Sequence, residues 1–96
     1  MLLSEESLSA IRARIDEIDD QLLGLVNERA EAAMEVARIK RESVEPGDFY
    51  RPAREAEILR RLRDSNAGPL GTEEVIRLFR EVMSACLALQ RPLRVA

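Results

Sequence analysis

Residues 8–40 read LSAIRARIDEIDDQLLGLVNERAEAAMEVARIK, and the reading of this stretch decides the fold. Apolar side chains recur at Leu8, Ile11, Ile15, Ile18, Leu22 and Leu25, then at Ala32, Val36 and Ile39. Steps of three and four residues have the period of a helix, not the period of a strand. Ser4 is read as the N-cap. Glu5 and Glu6 put negative charge in the first turn, where the helix dipole favours it. No proline intervenes before Pro46, and Gly24 is the only weak helix former. The pattern predicts one helix over residues 5–42, about 55 Å long.

Two shorter helices follow. Pro46-Gly47-Asp48 marks a loop between Ser43 and Asp48. Pro52 suits a first helical turn, and a second helix is predicted from there to about Asp64. Ser65-Asn66-Ala67-Gly68-Pro69 stops it. Thr72 is read as the cap of a third helix, with Glu73 and Glu74 in its first turn. The apolar stripe of that helix is Val75, Leu78, Phe79, Val82, Met83, Cys86 and Leu87, and Pro92 ends it. No strand pattern, internal repeat or low-complexity tract is present. The expected fold is all-α, with one long, one short and one medium helix in a single domain over residues 1–96. A compact domain of this size has a radius of gyration near ~13 Å. The long helix therefore projects, and a second copy of the chain is the economical cover. The expected assembly is an intertwined helical homodimer.

Composition narrows the function. Apolar residues make up 46% and aromatics 3%, so the core is aliphatic. The formal net charge of −3 argues against nucleic acid as a partner, because phosphate-binding domains carry a basic excess. No apolar run is long enough to span a bilayer and no basic-then-apolar signal segment opens the chain, so a cytoplasmic location away from membranes is expected. With no histidine and only Cys86, a His/Cys zinc site is excluded, as are Ser-His-Asp and Cys-His mechanisms. No metal and no cofactor is expected.

Several charges fall on core faces. In the register Leu8, Ile15, Leu22 the next member is Arg29, followed by Val36. Lys40 lies eleven residues after Arg29, only ~20° further round the helix. Between them the face carries the mostly small Ala32, Ala33 and Val36. Two inward cations with space above them make a cradle for a small dianion. In the second helix Glu55 falls at the centre of the face set by Ile58, Leu59 and Leu62, with Arg54 and Arg51 toward its edge. In the third, Gln90 projects into the stripe of Phe79, Met83, Cys86 and Leu87. Each has a plainer reading. Arg29 and Glu55 alone read best as a buried ion pair that fixes register. Lys40 reads as a solvated charge near a helix C-terminus, Gln90 as a cap, and Cys86 as an inert small hydrophobe. Four inward polar groups together are costly for a domain short of core, and the joint pattern favours a site. Arg12, about 25 Å before Arg29 and roughly 100° round the helix, cannot reach that site in its own chain. In an antiparallel dimer it reaches the partner's; by spacing alone it is a solvated flank residue.

These residues resemble a known family, the all-helical chorismate mutases. Ile11-Arg12-Ala13-Arg14-Ile15-Asp16-Glu17-Ile18-Asp19, completed by Leu22, Leu23, Leu25 and Arg29, is similar to its opening pattern. Val36-Ala37-Arg38-Ile39-Lys40 and Tyr50-Arg51-Pro52-Ala53-Arg54-Glu55 resemble its next two segments, and the Phe79-to-Gln90 helix resembles its last. The ending, from Gly68-Pro69-Leu70 through Pro92-Leu93-Arg94-Val95-Ala96, is most like the mutase portion of bifunctional chorismate mutase–prephenate dehydratase proteins, in which a dehydratase domain follows; an excised N-terminal domain or a stand-alone relative is the expectation. The resemblance implies roles. Arg12 from the partner chain and Arg29 bind carboxylates. Lys40 contacts a carboxylate and the ether oxygen of chorismate. Arg54 and Glu55 match the family's Arg-Glu pair, with Glu55 accepting from the ring hydroxyl. Gln90 donates to the ether oxygen. Cys86 stands where some members use a serine to bind a carboxylate, and Arg51 where some have an aspartate; both depart from the pattern.

The implied reaction, chorismate to prephenate, breaks one C–O bond while one C–C bond forms. It needs no nucleophile, metal or proton transfer, which suits this residue inventory. Lys40, Gln90 and Arg29 form the expected catalytic set; Arg12, Arg54, Glu55 and Cys86 extend it to the expected substrate-binding set. The alternatives are an isochorismate–pyruvate lyase of the same fold, ranked lower on Gln90 and the long Lys40–Arg54 loop, and a non-catalytic helical dimerisation module, which inward Arg29, Lys40 and Glu55 count against.

Overall fold

The protein is described by a computed structural model covering residues 2–42 and 52–90. The structure contains helix α1 from Leu2–Glu42, α2 from Pro52–Ser65 and α3 from Thr72–Gln90, and no strand among the described residues. The all-α, three-helix expectation holds. The Pro46-Gly47-Asp48 loop, Arg51 and the Pro92 terminator lie outside the described residues.

Two boundaries move for identifiable reasons. Helix α1 begins at Leu2, so Ser4 lies inside it and is not its N-cap. In α3 the amide of Val75 donates to the carbonyl of Gly71 at 3.1 Å, so Gly71 holds the capping position and Thr72 is the first helical residue. The Thr72 hydroxyl is used differently: it accepts from Asn66 Nδ2 at 3.1 Å.

Asn66 organises the turn between α2 and α3. Its Nδ2 also donates to the Leu70 carbonyl at 3.0 Å, and its Oδ1 accepts from the Gly68 amide at 3.2 Å. Gly68 has φ 82°, a left-handed conformation that glycine adopts without a Cβ penalty. Arg63 and Glu73 close the same turn from outside with a 2.7 Å ion pair. Helices α2 and α3 thus form an antiparallel hairpin, and α3 packs against both α1 and α2.

The core is small and lies at one end of the long axis. Its buried members are Ala33 and Ala37 of α1, Ile58 of α2, and Ile76, Met83 and Cys86 of α3. The α1 surface facing α3 is therefore the Ala33–Ala37 row, one residue round from the predicted Ala32, Val36 and Ile39. Alanines let two helix axes approach closely, whereas Val36 and Ile39 stay 43% and 55% exposed. In α3 the predicted stripe shifts likewise. Ile76, absent from it, is 2% exposed, and Leu78, included in it, is 55% exposed. On α1 every described side chain from Glu5 to Glu28 is exposed, including Leu8, Ile11, Ile15, Ile18, Leu22 and Leu25. The molecule measures 66 × 32 × 22 Å, with a radius of gyration of 18.4 Å against ~13 Å for a compact chain of this length.

The α2–α3 turn generates a stability prediction. Asn66→Ala removes three hydrogen bonds at once and is expected to destabilise the protein by about 1–3 kcal/mol in chemical denaturation. Arg63→Ala breaks an exposed ion pair at the same turn and is expected to cost less than about 1 kcal/mol. Equal losses would assign the turn's stability to the ion pair instead.

Candidate active site

A cavity of about 330 Å³ opens between the three helices, within the range of small-molecule sites. It exists because α1 offers α3 mainly alanine at this level, and because the side chains that fill the rest are long and charged. Arg29 and Lys40 reach it from α1, one at each end of the Ala32, Ala33 and Val36 stretch. From α2 come the adjacent Arg54 and Glu55 together with Arg61, each three or four residues from Ile58, which also lines the cavity. Helix α3 closes it with Met83, Cys86, Leu87 and Gln90.

The fold thus brings together Arg29, Lys40, Arg54, Glu55, Cys86 and Gln90 of the expected set. It does not bring Arg12 there. Arg12 is exposed on the uncovered part of α1, and the seventeen residues between it and Arg29 span about 25 Å. Arg51 lies outside the described residues. Arg61 was missed by sequence reasoning, although its spacing of seven from Arg54 across Ile58 carried the signal.

The charge balance of the cavity opposes that of the chain. Four cations, Arg29, Lys40, Arg54 and Arg61, face one carboxylate, Glu55, in a chain whose net charge is −3. The reading of Arg29 and Glu55 as a buried register-fixing pair fails on two counts. Both are half-buried, since no charged residue among those described is fully buried, and they form no ion pair with each other. The inward charges therefore border a wet cavity and avoid most of the desolvation cost of a dry core. Arg54 sits at the rim, where its Nη1 pairs with Glu57 Oε1 at 2.5 Å; both side chains are exposed, so the pair holds it weakly.

Gln90 ends α3. Its Oε1 is buried with no hydrogen-bond partner among the described residues, and such an orphaned polar atom costs about 1–3 kcal/mol. The Gln90 backbone carbonyl, by contrast, accepts from Arg41 Nη2 at 3.0 Å. Cys86 is 4% exposed and presents its free thiol at the cavity wall. Outside the cavity, Arg38 pairs with Glu35 and Glu42 on the exposed face of α1; the hydrogen bond from Arg38 holds the Glu35 carboxyl below its usual range. No helix of the described residues is long and apolar enough to cross a membrane. Chemically, the cavity offers fixed cations for an anion of more than one charge, one carboxylate acceptor and one uncommitted amide.

Comparison with known proteins identifies the family. A match to the family described as chorismate mutase type II covers residues 11–91. The bifunctional chorismate mutase/prephenate dehydratase of Pseudomonas aeruginosa is 50% identical over 99% of this chain, which covers 27% of that protein. The protein of the same name from Stutzerimonas stutzeri is 53% identical over 95% of the chain and 26% of its own length. The chain thus spans about a quarter of the length of these curated relatives. Among solved structures, a Thermus thermophilus chorismate mutase superposes with a TM-score of 0.81 at 32% identity, covering 86% of this chain and 92% of that one. A Helicobacter pylori chorismate mutase in complex with prephenate gives 0.76 at 36% identity, covering 86% and 88%. With a three-helix fold, a cationic cavity and a family match over residues 11–91, this chain belongs to the chorismate mutase type II family.

Proposed function

We propose that this chain converts chorismate to prephenate at the cavity between its three helices, and that two copies are needed to complete each site. The observation that carries the reading is the approach of Arg29 and Lys40 to one cavity that also holds the unpartnered amide of Gln90. Chorismate is a small dicarboxylate, so paired cations bind it and also dictate its shape. With the ring carboxylate and the enolpyruvyl carboxylate held apart, the side arm lies over the ring in the geometry that the new C–C bond requires. Arg29 and Arg54 hold carboxylates, and Lys40 one carboxylate together with the ether oxygen. Glu55 accepts a hydrogen bond from the ring hydroxyl. As the C–O bond stretches, negative charge grows on the ether oxygen. Lys40 and the Gln90 amide donate to it from positions set before the reaction, where removing one donor costs about 3 kcal/mol in comparable sites. A half-turn of the Gln90 amide exchanges its oxygen and nitrogen, so the orphaned atom and the required donor belong to one group. Cys86 borders the bound carboxylates as a weak donor.

Arg12 enters from a second chain. The segment from Glu5 to Glu28 is a helix with every side chain exposed, and helices draw most of their stability from packing of an apolar face. Pairing two α1 helices antiparallel covers Leu8 to Leu25 on both chains and carries each Arg12 toward the partner's cavity.

The direct test is turnover. The chain supplied with chorismate is expected to yield prephenate, with Arg29→Ala and Lys40→Ala each lowering kcat/KM at least about 10²-fold while remaining folded. Release of pyruvate and salicylate from isochorismate, without prephenate from chorismate, would point to lyase chemistry. No conversion of either would leave a dimerisation module.

A second test uses pH. The wild-type amide donates a hydrogen bond at any ordinary pH. In Gln90→Glu only the protonated acid donates, and its carboxylate repels charge developing on the ether oxygen. An ordinary glutamate titrates near ~4.3; burial raises that value and the nearby Lys40 ammonium lowers it. The variant is therefore expected to be most active in acid and to lose turnover as pH rises through the pKa of the introduced carboxyl. Superimposable kcat profiles for the two proteins would remove Gln90 from the reacting oxygen.

A further inference from the structure

We propose that Arg41 is a positioning residue for Gln90: its guanidinium anchors the last carbonyl of α3 and so fixes where the Gln90 amide sits in the cavity. This rests on the reading of Gln90 as a donor to the ether oxygen. The bond runs from Arg41 Nη2 to the Gln90 carbonyl oxygen at 3.0 Å and joins two helices across 49 residues of sequence.

Three features make this bond more than a surface contact. First, Gln90 is the last described residue of α3, and Pro92, a residue that cannot continue a helix, follows two positions later in the sequence. Second, the group that meets this carbonyl is a cation, and positive charge near the C-terminal part of a helix is favoured by the helix dipole. Third, Gln90 Oε1 is buried with no hydrogen-bond partner among the described residues, so the position of the amide follows the backbone that Arg41 holds.

The sequence supports the arrangement. Lys40 and Arg41 are consecutive in the last turn of α1 and point about 100° apart. One lines the cavity and the other caps α3. Lys40 and Gln90 thus line the same cavity, and Arg41 holds Gln90 through the main chain. A bond of this kind acts on kcat more than on KM, because misplacing a donor by a fraction of an ångström weakens an interaction made chiefly in the transition state.

The experiment is a double-mutant cycle on chorismate turnover with Arg41→Leu and Gln90→Ala, at a temperature where circular dichroism shows the full helical signal for every variant. Arg41→Leu is expected to lower kcat about tenfold with KM changed less than about twofold. Arg41→Lys, which retains a donor and the charge, is expected to recover most of that loss. In the Gln90→Ala background Arg41→Leu is expected to cost nothing further, because there is no amide left to place. If Arg41→Leu does not fold, Arg41→Gln takes its place in the cycle. An unchanged kcat for Gln90→Ala would overturn the reading of Gln90 itself. A lowered kcat for Gln90→Ala, with Arg41→Leu costing the same factor in both backgrounds or none in the wild type, would overturn the positioning role alone.

Discussion

A helix that finds no cover in its own chain is the constraint on which the rest depends. From Glu5 to Glu28 every side chain of α1 is exposed, including Leu8, Ile11, Ile15, Ile18, Leu22 and Leu25 on one side. Covering the exposed half of a leucine or isoleucine is worth roughly 1 kcal/mol, and helices in proteins draw most of their stability from packing of an apolar face. The end that the chain covers by itself is where α3 bridges α1 and α2, and the cavity lies there.

That packing also explains why the cavity is a cavity. Ala33 and Ala37 bring α1 close to α3, while Arg29 and Lys40 stand at either end of the contact with side chains too polar to fill the space between. Like charges lining a shared space raise its positive potential and favour the binding of an anion. On the proposed function, binding energy from two carboxylates would hold one conformer of a flexible substrate, the main requirement of a unimolecular rearrangement. Among the described residues, Gln90 alone has a buried side-chain polar atom with no partner, and its backbone carbonyl is held by the Arg41 guanidinium.

The helices and the inward placement of Arg29, Lys40, Glu55 and Gln90 were legible in the sequence because both follow from a period of 3.6 and a few proline and glycine signals. The face of α1 that packs was not. Counting large aliphatic residues selects Val36 and Ile39, whereas close helix approach selects Ala33 and Ala37, and hydrophobicity alone cannot rank the two. Ile76 escaped for a similar reason: α3 packs on two neighbours, so its apolar surface is wider than one stripe. Asn66 acts through a turn geometry and Arg41 through a partner 49 residues away, and no local pattern announces either, whereas Arg61 was signalled by its spacing from Arg54 and Ile58. The plainer reading of Arg29 and Glu55 as an ion pair assumed a dry core; both instead line an open cavity and remain apart.

Sharing of the site between chains is tested most directly by mixing two inactive variants. Arg12→Ala and Lys40→Ala damage different halves of a shared site, so a mixed dimer contains one site with both lesions and one with neither. After subunit exchange at equal concentrations, half of the dimers are mixed, and activity is expected to return to about a quarter of the wild-type level. Mixed dimers that are shown to form and yet remain inactive would contradict a site completed by Arg12 of a second chain.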